Sequence, residues 1–342
     1  MTSKPVNFGI VSPARWGRLL LDAGAKLDNL NLRGVCSRSA GNAQEVAAAY
    51  GGQVYLTYNA MLEDPEIDAV LLPTPNFLHH SQAMAAFRTG KHVFVEKPIA
   101  NTLDEAYEMQ RTARERGLVL AVGMQGRRTG AARMVKQMLA DRKLGRVGMA
   151  VAVHGAPLLN TRSEDSWYYS ADKAPGGPLD QLGVHYFDLL RYFFGPVRRV
   201  TGAYTRRHAP YDVPDTASAL LEMDDGTLAV YNTHQISAYV SNLTIYGTLG
   251  AVHFNRFGQE LLWEDVIPPA AAKKDGPQIQ TLEIQGPHPF TTALQEELAE
   301  FADCILTGET PSVGVREGIA ALRVARAVME AHDTGRAIVL DE

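Results

Sequence analysis

Val6-Asn7-Phe8-Gly9-Ile10-Val11-Ser12-Pro13-Ala14-Arg15-Trp16-Gly17 is the stretch on which the fold class turns. Val6–Val11 is a short apolar run with β-branched residues and reads as a buried strand. Ser12-Pro13 ends it. Ala14–Leu27 then places Trp16, Leu19, Leu20, Ala23 and Leu27 near one face, as a helix does. The alternation continues downstream. Leu32–Cys36, Ala69–Leu72, His92–Glu96 and Leu118–Gly123 read as strands, and Ala43–Tyr50 and His79–Arg88 as helices. Thr102-Leu103-Asp104-Glu105 is a capping box, in which the threonine and glutamate side chains satisfy orphan amides of a further helix. That helix runs to Gly117, a C′ glycine. Strands alternating with helices predict a doubly wound parallel sheet over residues 1–123, with ligands at the carboxyl ends of its strands.

The second half has a different period. After a helix over Ala131–Asp141, alternating strands are expected at Gly148–His154, Arg199–Thr205, Ala217–Met223, Thr227–Thr233, Asn242–Gly247 and Ala251–Asn255. Met223-Asp224-Asp225-Gly226-Thr227 is a hairpin turn signal. These strands predict a mostly antiparallel sheet in a second α/β domain, residues 124–342. Ile267–Pro277, rich in Pro, Ala and Lys, reads as an exposed loop. Thr291–Leu306 and Arg316–Thr334 read as amphipathic helices.

The chain has 342 residues, enough for one very large or two ordinary domains. With 46% hydrophobic and 21% charged residues it can bury a real core. A net charge of −5 lacks the basic footprint of a nucleic-acid binder. Cys36 and Cys304 form no disulfide framework and no CxxC pair, and no metal site is expected. HExxH and GxSxG are absent, which leaves a metallohydrolase and a serine hydrolase without support. The amino end leads straight into a strand with no long apolar run, so a cytoplasmic enzyme without membrane contact is expected.

Ser12-Pro13-Ala14-Arg15-Trp16-Gly17 stands where a dinucleotide fingerprint would read G-x-G-x-x-G. Ala14 still allows close backbone approach, and Gly17 preserves tight helix–strand packing. The amides at the helix start are positioned to cradle a pyrophosphate; an ordinary strand–turn–helix would read the same way. An acid at the end of the second strand would bind a ribose 2′-hydroxyl. Cys36-Ser37-Arg38 has none, and Arg38 with Ser37 suits a 2′-phosphate, which favours NADP over NAD. Thr74-Pro75-Asn76, His79 and Gln125 are further cofactor-side residues.

Glu96-Lys97-Pro98 puts a lysine at the carboxyl end of a parallel strand. Gly176-Gly177-Pro178-Leu179-Asp180-Gln181-Leu182-Gly183-Val184-His185 opens a helix carrying a histidine, an amide and a carboxylate. A lysine beside a nucleotide cleft and a histidine facing it can move a proton while a nicotinamide takes a hydride. Together they point to a pyridine-nucleotide oxidoreductase.

Over nearly its whole length the chain resembles the Gfo/Idh/MocA (glucose-fructose oxidoreductase, inositol dehydrogenase, rhizopine catabolism) family. The resemblance rests on the degenerate fingerprint, Thr74-Pro75-Asn76 with His79, and Gly90-Lys91-His92-Val93 leading into Glu96-Lys97-Pro98. It continues through Gly183-Val184-His185 and Ile245-Tyr246-Gly247-Thr248-Leu249-Gly250. It implies an N-terminal Rossmann domain and a C-terminal α/β domain whose large open sheet makes a homodimer or homotetramer. The implied activity is NAD(P)-dependent oxidation or reduction at a carbinol carbon of a sugar, inositol or related polyol.

The resemblance places the catalytic lysine at Lys97 and the catalytic histidine at His185. His185 would be the base, and Lys97 would stabilise alkoxide character while holding ribose or substrate. Glu96 would brace the cofactor loop. The family's aspartate four residues before the histidine is Gln181 here. On an α-helix Gln181 shares the face of His185, so it is favoured to orient substrate. Asp180 is the second choice, and a first-turn acid stabilised by the helix dipole is an equal reading of it. Arg127, Trp167 and Tyr168 are expected at the substrate, each reading equally as packing or solvated charge. Arg128, beside Arg127, reads the same way, and Tyr211 and His234 are weaker candidates. Two rivals remain at this level: a glycoside-cleaving or epimerising enzyme that recycles its NAD, and a nucleotide-sensing regulator without chemistry.

Overall fold

The computed structural model describes residues 4–163, 165–208, 212–266, 278–285 and 289–341. The expected loop at Ile267–Pro277, and Tyr211, lie outside the described residues. By packing, the chain divides into two compact units. One comprises Met1–Gln125 with Phe290–Leu322, the other Gly126–Pro289 with Arg323–Glu342.

The first unit is built on β1 (Val6–Val11), α1 (Arg15–Gly24), β2 (Leu30–Cys36), α2 (Ala40–Tyr50), β3 (Gln53–Tyr55), α3 (Tyr58–Leu62), β4 (Ala69–Leu72), α4 (His79–Arg88), β5 (His92–Glu96), α5 (Leu103–Glu115) and β6 (Leu120–Gly123). Its six strands run in the order β3-β2-β1-β4-β5-β6 and all pair in parallel. The strand order reverses between β1 and β4, the switch point at which such sheets bind ligands. Strands β1, β4 and β6 are buried along their whole length, which is why they read as apolar runs without alternation. The capping box on Thr102 and Glu105 forms as expected.

In the second unit follow α6 (Gly130–Ala140), β7 (Val147–Gly155), α7 (Leu158–Thr161), α8 (Val184–Phe194), β8 (Val197–Thr205), β9 (Thr216–Met223), β10 (Leu228–His234), β11 (Val240–Gly247), β12 (Gly250–Asn255), β13 (Glu260–Asp265) and β14 (Ile279–Thr281). With β15 (Ile338–Val339) they form a nine-stranded sheet, β14-β13-β12-β11-β7-β10-β9-β8-β15. It is antiparallel except for β7 and β10, which pair in parallel. One face packs on α8, where Phe187 meets Tyr231 edge-on with ring centroids 4.9 Å apart. The other face carries apolar rows. Leu220, Val230 and Val151 are cross-strand neighbours, as are Leu228, Met149 and Tyr246.

The division differs from a boundary at residue 123. Helix α9 (Pro289–Thr307) inserts Leu294, Leu298, Phe301 and Ala302 into the core of the first unit, beside Val6, Phe8 and Leu20. Phe301 meets Phe94 edge-on at 5.8 Å. Burial of each such large side chain is worth about 1.5–3 kcal/mol. Asn29 adds hydrogen bonds to Ala299 O at 3.2 Å and Asp303 Oδ1 at 2.7 Å. The division falls again inside α10 (Val315–Thr334).

Candidate active site

In the first unit the expected cofactor residues gather at the carboxyl ends of the strands. Ser12 holds φ 51°, the left-handed region for which a fingerprint keeps glycine. The Ser12 N–H donates to Cys36 O at 2.7 Å, and the Ala14 N–H to Ser12 O at 2.7 Å. Gly17 is tightly packed: a Cβ there would lie 3.1 Å from Pro73 Cγ and 3.2 Å from Pro13 Cβ, so a neighbour would have to shift. Ser12, Ala14, Ser37, Arg38, Ser39 and Asn42 line one open pocket. Ser39 caps α2, accepting the Asn42 N–H, while Asn42 Nδ2 donates to Ser37 Oγ at 3.3 Å. Arg15 and Ala14 are exposed, and Trp16 and Pro75 are half-buried. A pocket of hydroxyls, an amide and one guanidinium at a helix N-terminus suits an anion.

Beyond β5, Lys97 is half-buried and precedes a cis peptide to Pro98. Glu96 is buried beside Gly123 and its pKa is pushed up to about 7 by burial; Lys97 and the Trp16 indole pull the other way. Among the described residues, the buried oxygens Glu96 Oε1 and Gln125 Oε1 have no hydrogen-bond partner. Orphaned acceptors at strand ends fit the amide end of a nicotinamide cofactor, whose carboxamide brings donors. His79 does not join that surface. It is 1% exposed with both ring nitrogens against backbone carbonyls, which corrects its reading as a cofactor-binding group.

In the second unit the Gly-Gly motif folds tightly. Gly177 sits at φ 52°, and a Cβ on it would lie 2.3 Å from Pro214 O. Leu179–Gly183 then forms a π turn ahead of α8, with the Val184 N–H donating to Leu179 O. The α-helical spacing assumed for Gln181 and His185 therefore does not apply, because a π turn carries an extra residue in each hydrogen-bonded ring. Both side chains are buried all the same.

Asp180 is wholly buried. It accepts the Gly176 N–H at 2.8 Å and takes both Arg326 nitrogens, at 2.8 and 3.0 Å. Both oxygens are engaged, which corrects its reading as a second choice for a catalytic residue that orients substrate. Arg127 is likewise engaged. Nε donates to Asp188 Oδ2 at 2.9 Å, Nη2 to Oδ1, and the guanidinium lies 5.3 Å from the Tyr192 ring centroid. A fork held this way by a buried carboxylate corrects the substrate reading of Arg127.

Trp167 and Tyr168 remain half-buried, with rings 4.0 Å apart and Arg162 over Tyr168 at 3.5 Å. His234 lies over Gly155, and burial lowers its pKa. Two residues around His185 escaped the sequence reading. Phe257 meets the His185 ring edge-on at 5.3 Å, and buried His154 lies 6.2 Å away, with Nδ1 3.1 Å from Leu182 O. His154 is an inward position of β7, so only its polarity on a buried face marks it. Nothing in the period marks Phe257, which belongs to a turn with φ 55°.

Residues 6–124 match the family model described as oxidoreductase family, NAD-binding Rossmann fold, and residues 132–253 match the Gfo/Idh/MocA C-terminal domain. The chain is 31% identical to a dTDP-3,4-didehydro-2,6-dideoxy-alpha-D-glucose 3-reductase of Streptomyces violaceoruber, over 70% of this chain and 69% of that protein. It is 26% identical to the scyllo-inositol 2-dehydrogenase (NAD(+)) of Bacillus subtilis, over 82% and 80%. Among solved structures it is similar to a putative NADPH-dependent oxidoreductase from Desulfitobacterium hafniense, with TM-score 0.88 and 26% identity over 99% of this chain and 98% of that one. No helix among the described residues is long and apolar enough to cross a membrane.

Proposed function

The chain belongs to the Gfo/Idh/MocA oxidoreductase family, and from that premise we propose that it interconverts a secondary alcohol and a ketone on a sugar, inositol or related polyol. The observation that carries this reading is the pairing of both family matches with Lys97 at the end of β5 and a buried His185 in the first turn of α8. A nicotinamide nucleotide held at Ser12, Ala14, Ser37 and Arg38 would supply hydride acceptor and donor chemistry. His185 takes the hydroxyl proton on oxidation and returns it on reduction. Lys97 donates to the same oxygen and stabilises its alkoxide character. Gln181 orients substrate through its amide. Trp167 and Tyr168 offer faces to sugar C–H surfaces. Asp180 and Arg127 act through the backbone and α8 rather than on substrate. The sugar reductase and inositol dehydrogenase among the relatives support this substrate class.

NADP is the preferred cofactor in this reading. β2 ends without an acid, and Arg38, Ser37, Ser39 and Asn42 share a pocket at the positive end of α2. The protein works as a homodimer or homotetramer through the apolar face of its nine-stranded sheet.

A panel of sugars, inositols and sugar acids assayed with both cofactors tests the reading. Turnover is expected in the wild type, with kcat lower by about 10²-fold or more in Lys97→Ala and in His185→Ala. Wild-type rates in both variants defeat the assignment. Arg38→Ala is expected to weaken NADP by roughly tenfold, one lost phosphate ion pair, and to spare NAD; equal effects on both remove Arg38 as the phosphate reader.

A further inference from the structure

His79 opens α4 and is 1% exposed, yet it is polar and has no part in the mechanism above. Its Nδ1 lies 2.8 Å from Pro98 O and its Nε2 2.8 Å from Thr74 O. The ring thus spans from the loop after β4 to the residue that follows Lys97. Other bonds brace the same loops. Asn76 Nδ2 donates to Asn101 Oδ1, and the Asn101 and Thr102 N–H groups donate to Glu105 at 3.0 Å. Thr74 Oγ1 donates to Gln82 Oε1 at 2.6 Å. Among these bonds, only those of His79 reach the residue next to Lys97. Ile99 and Ala100 beside it are fully buried. A leucine or phenylalanine would fill such a place without the desolvation that an imidazole suffers, so its polar contacts are what distinguish His79 there.

We infer that His79 is a positioning residue for Lys97: from the start of α4 its Nδ1–H donates to Pro98 O and holds the Lys97-Pro98 backbone so that the ammonium is presented in one place. The functional weight of this rests on Lys97 contacting substrate, as proposed above. A neutral imidazole has one N–H, so only one of the two carbonyls accepts from it, and the variants tell which. Asparagine at position 79 keeps an amide N–H near the Nδ1 position, facing Pro98 O. Glutamine keeps one near Nε2, facing Thr74 O. Phenylalanine keeps a ring and neither polar atom.

The test uses the full chain without cofactor. Each lysine is acetylated with a trace of acetic anhydride across a pH series, and the rate at each is read by peptide mass spectrometry. His79→Phe and His79→Gln are expected to change the Lys97 rate at least threefold at fixed pH, with Lys26 and Lys173 unchanged. His79→Asn is expected to stay within about 1.5-fold of wild type, in keeping with a retained hydrogen bond. An unchanged Lys97 rate in the phenylalanine and glutamine variants, or a change shared by all three lysines, overturns the inference. If His79→Phe does not fold, the contrast between the Asn and Gln variants decides. kcat on the panel gives a second arm. His79→Phe is expected to lower it at least tenfold in the wild type and under twofold in a Lys97→Ala background. Equal losses in both backgrounds mark a general structural role and overturn the inference. Wild-type kcat in Lys97→Ala instead overturns the assignment of Lys97, while the acetylation arm still reports whether His79 positions it.

Discussion

Two buried titratable side chains flank Lys97 with opposite demands on pH. Burial raises Glu96 from an ordinary 4.5 to about 7 and lowers His79 from 6.5 to about 4. The nearby Lys97 charge lowers both, and the two carbonyls facing His79 oppose its shift. Folded Glu96 holds a proton that the unfolded chain releases, so its contribution to stability is present at low pH and is lost as pH rises towards 7. Folded His79 lacks a proton that the unfolded chain binds, so its contribution is present above pH 6.5 and is lost as pH falls towards 4. Each spans about 3 kcal/mol. Their slopes cancel between about pH 4.5 and 6.5. Melting temperatures should therefore separate them. Glu96→Gln gains on the wild type as pH rises from 4.5 to 7, and His79→Phe gains as pH falls from 6.5 to 4. A pH-independent difference for either variant would show that the group does not titrate as described. At this scale the sequence reads well where chemistry is local. Arg38 in place of an acid and Gly17 in the first turn of α1 are legible from neighbours alone. Ser12 in a left-handed conformation is not, since its residue type argues against it.

The π turn Leu179–Gly183 shows where element-level reading fails. A period of 3.6 residues predicts which side chains share a face, and one wider turn resets that register for everything before α8. What holds the turn is an ion pair with a residue 146 positions away, Arg326 on α10. Asp180 is wholly buried, while Arg326 keeps 19% of its side chain in solvent. Removing the cation leaves a buried carboxylate uncompensated. Arg326→Met should therefore cost about 3 kcal/mol in urea unfolding, and the double variant Arg326→Met with Asp180→Asn clearly less. Additive losses would mean that the pair is not coupled. Gln181 stands at the place of the family's aspartate and Asp180 one residue before it, but Asp180 is held inside the turn by this pair.

At the scale of the whole molecule, the face of the nine-stranded sheet opposite α8 carries exposed apolar side chains. Met149, Leu220, Leu228 and Tyr246 are each about 40% exposed there, on neighbouring central strands. Apolar side chains in contiguous cross-strand rows mark an interaction surface more clearly than scattered ones. If that face joins two copies, Leu220→Asp with Tyr246→Asp should halve the mass seen by sedimentation at micromolar concentration. Binding of NAD(P) should persist if, as proposed, it occupies the pocket at Ser12, Ser37 and Arg38, which lies on the first unit. A wild type that sediments as a monomer, or a variant that stays assembled, removes the proposal.

Local pattern alone determined the strands and helices of the first unit apart from β3 and α3, the capping box at Thr102, six period-two strands of the second unit and the motifs around Lys97 and His185. Each depends on residues a few positions apart, and side-chain period and cap chemistry are properties of such short stretches. Tertiary structure decided the rest. It returned α9 to the first unit, ran β7 parallel to β10, and gave Asp180 and Arg127 to Arg326 and Asp188. Those outcomes depend on which buried surfaces and charges meet across about sixty residues or more, where period carries no information.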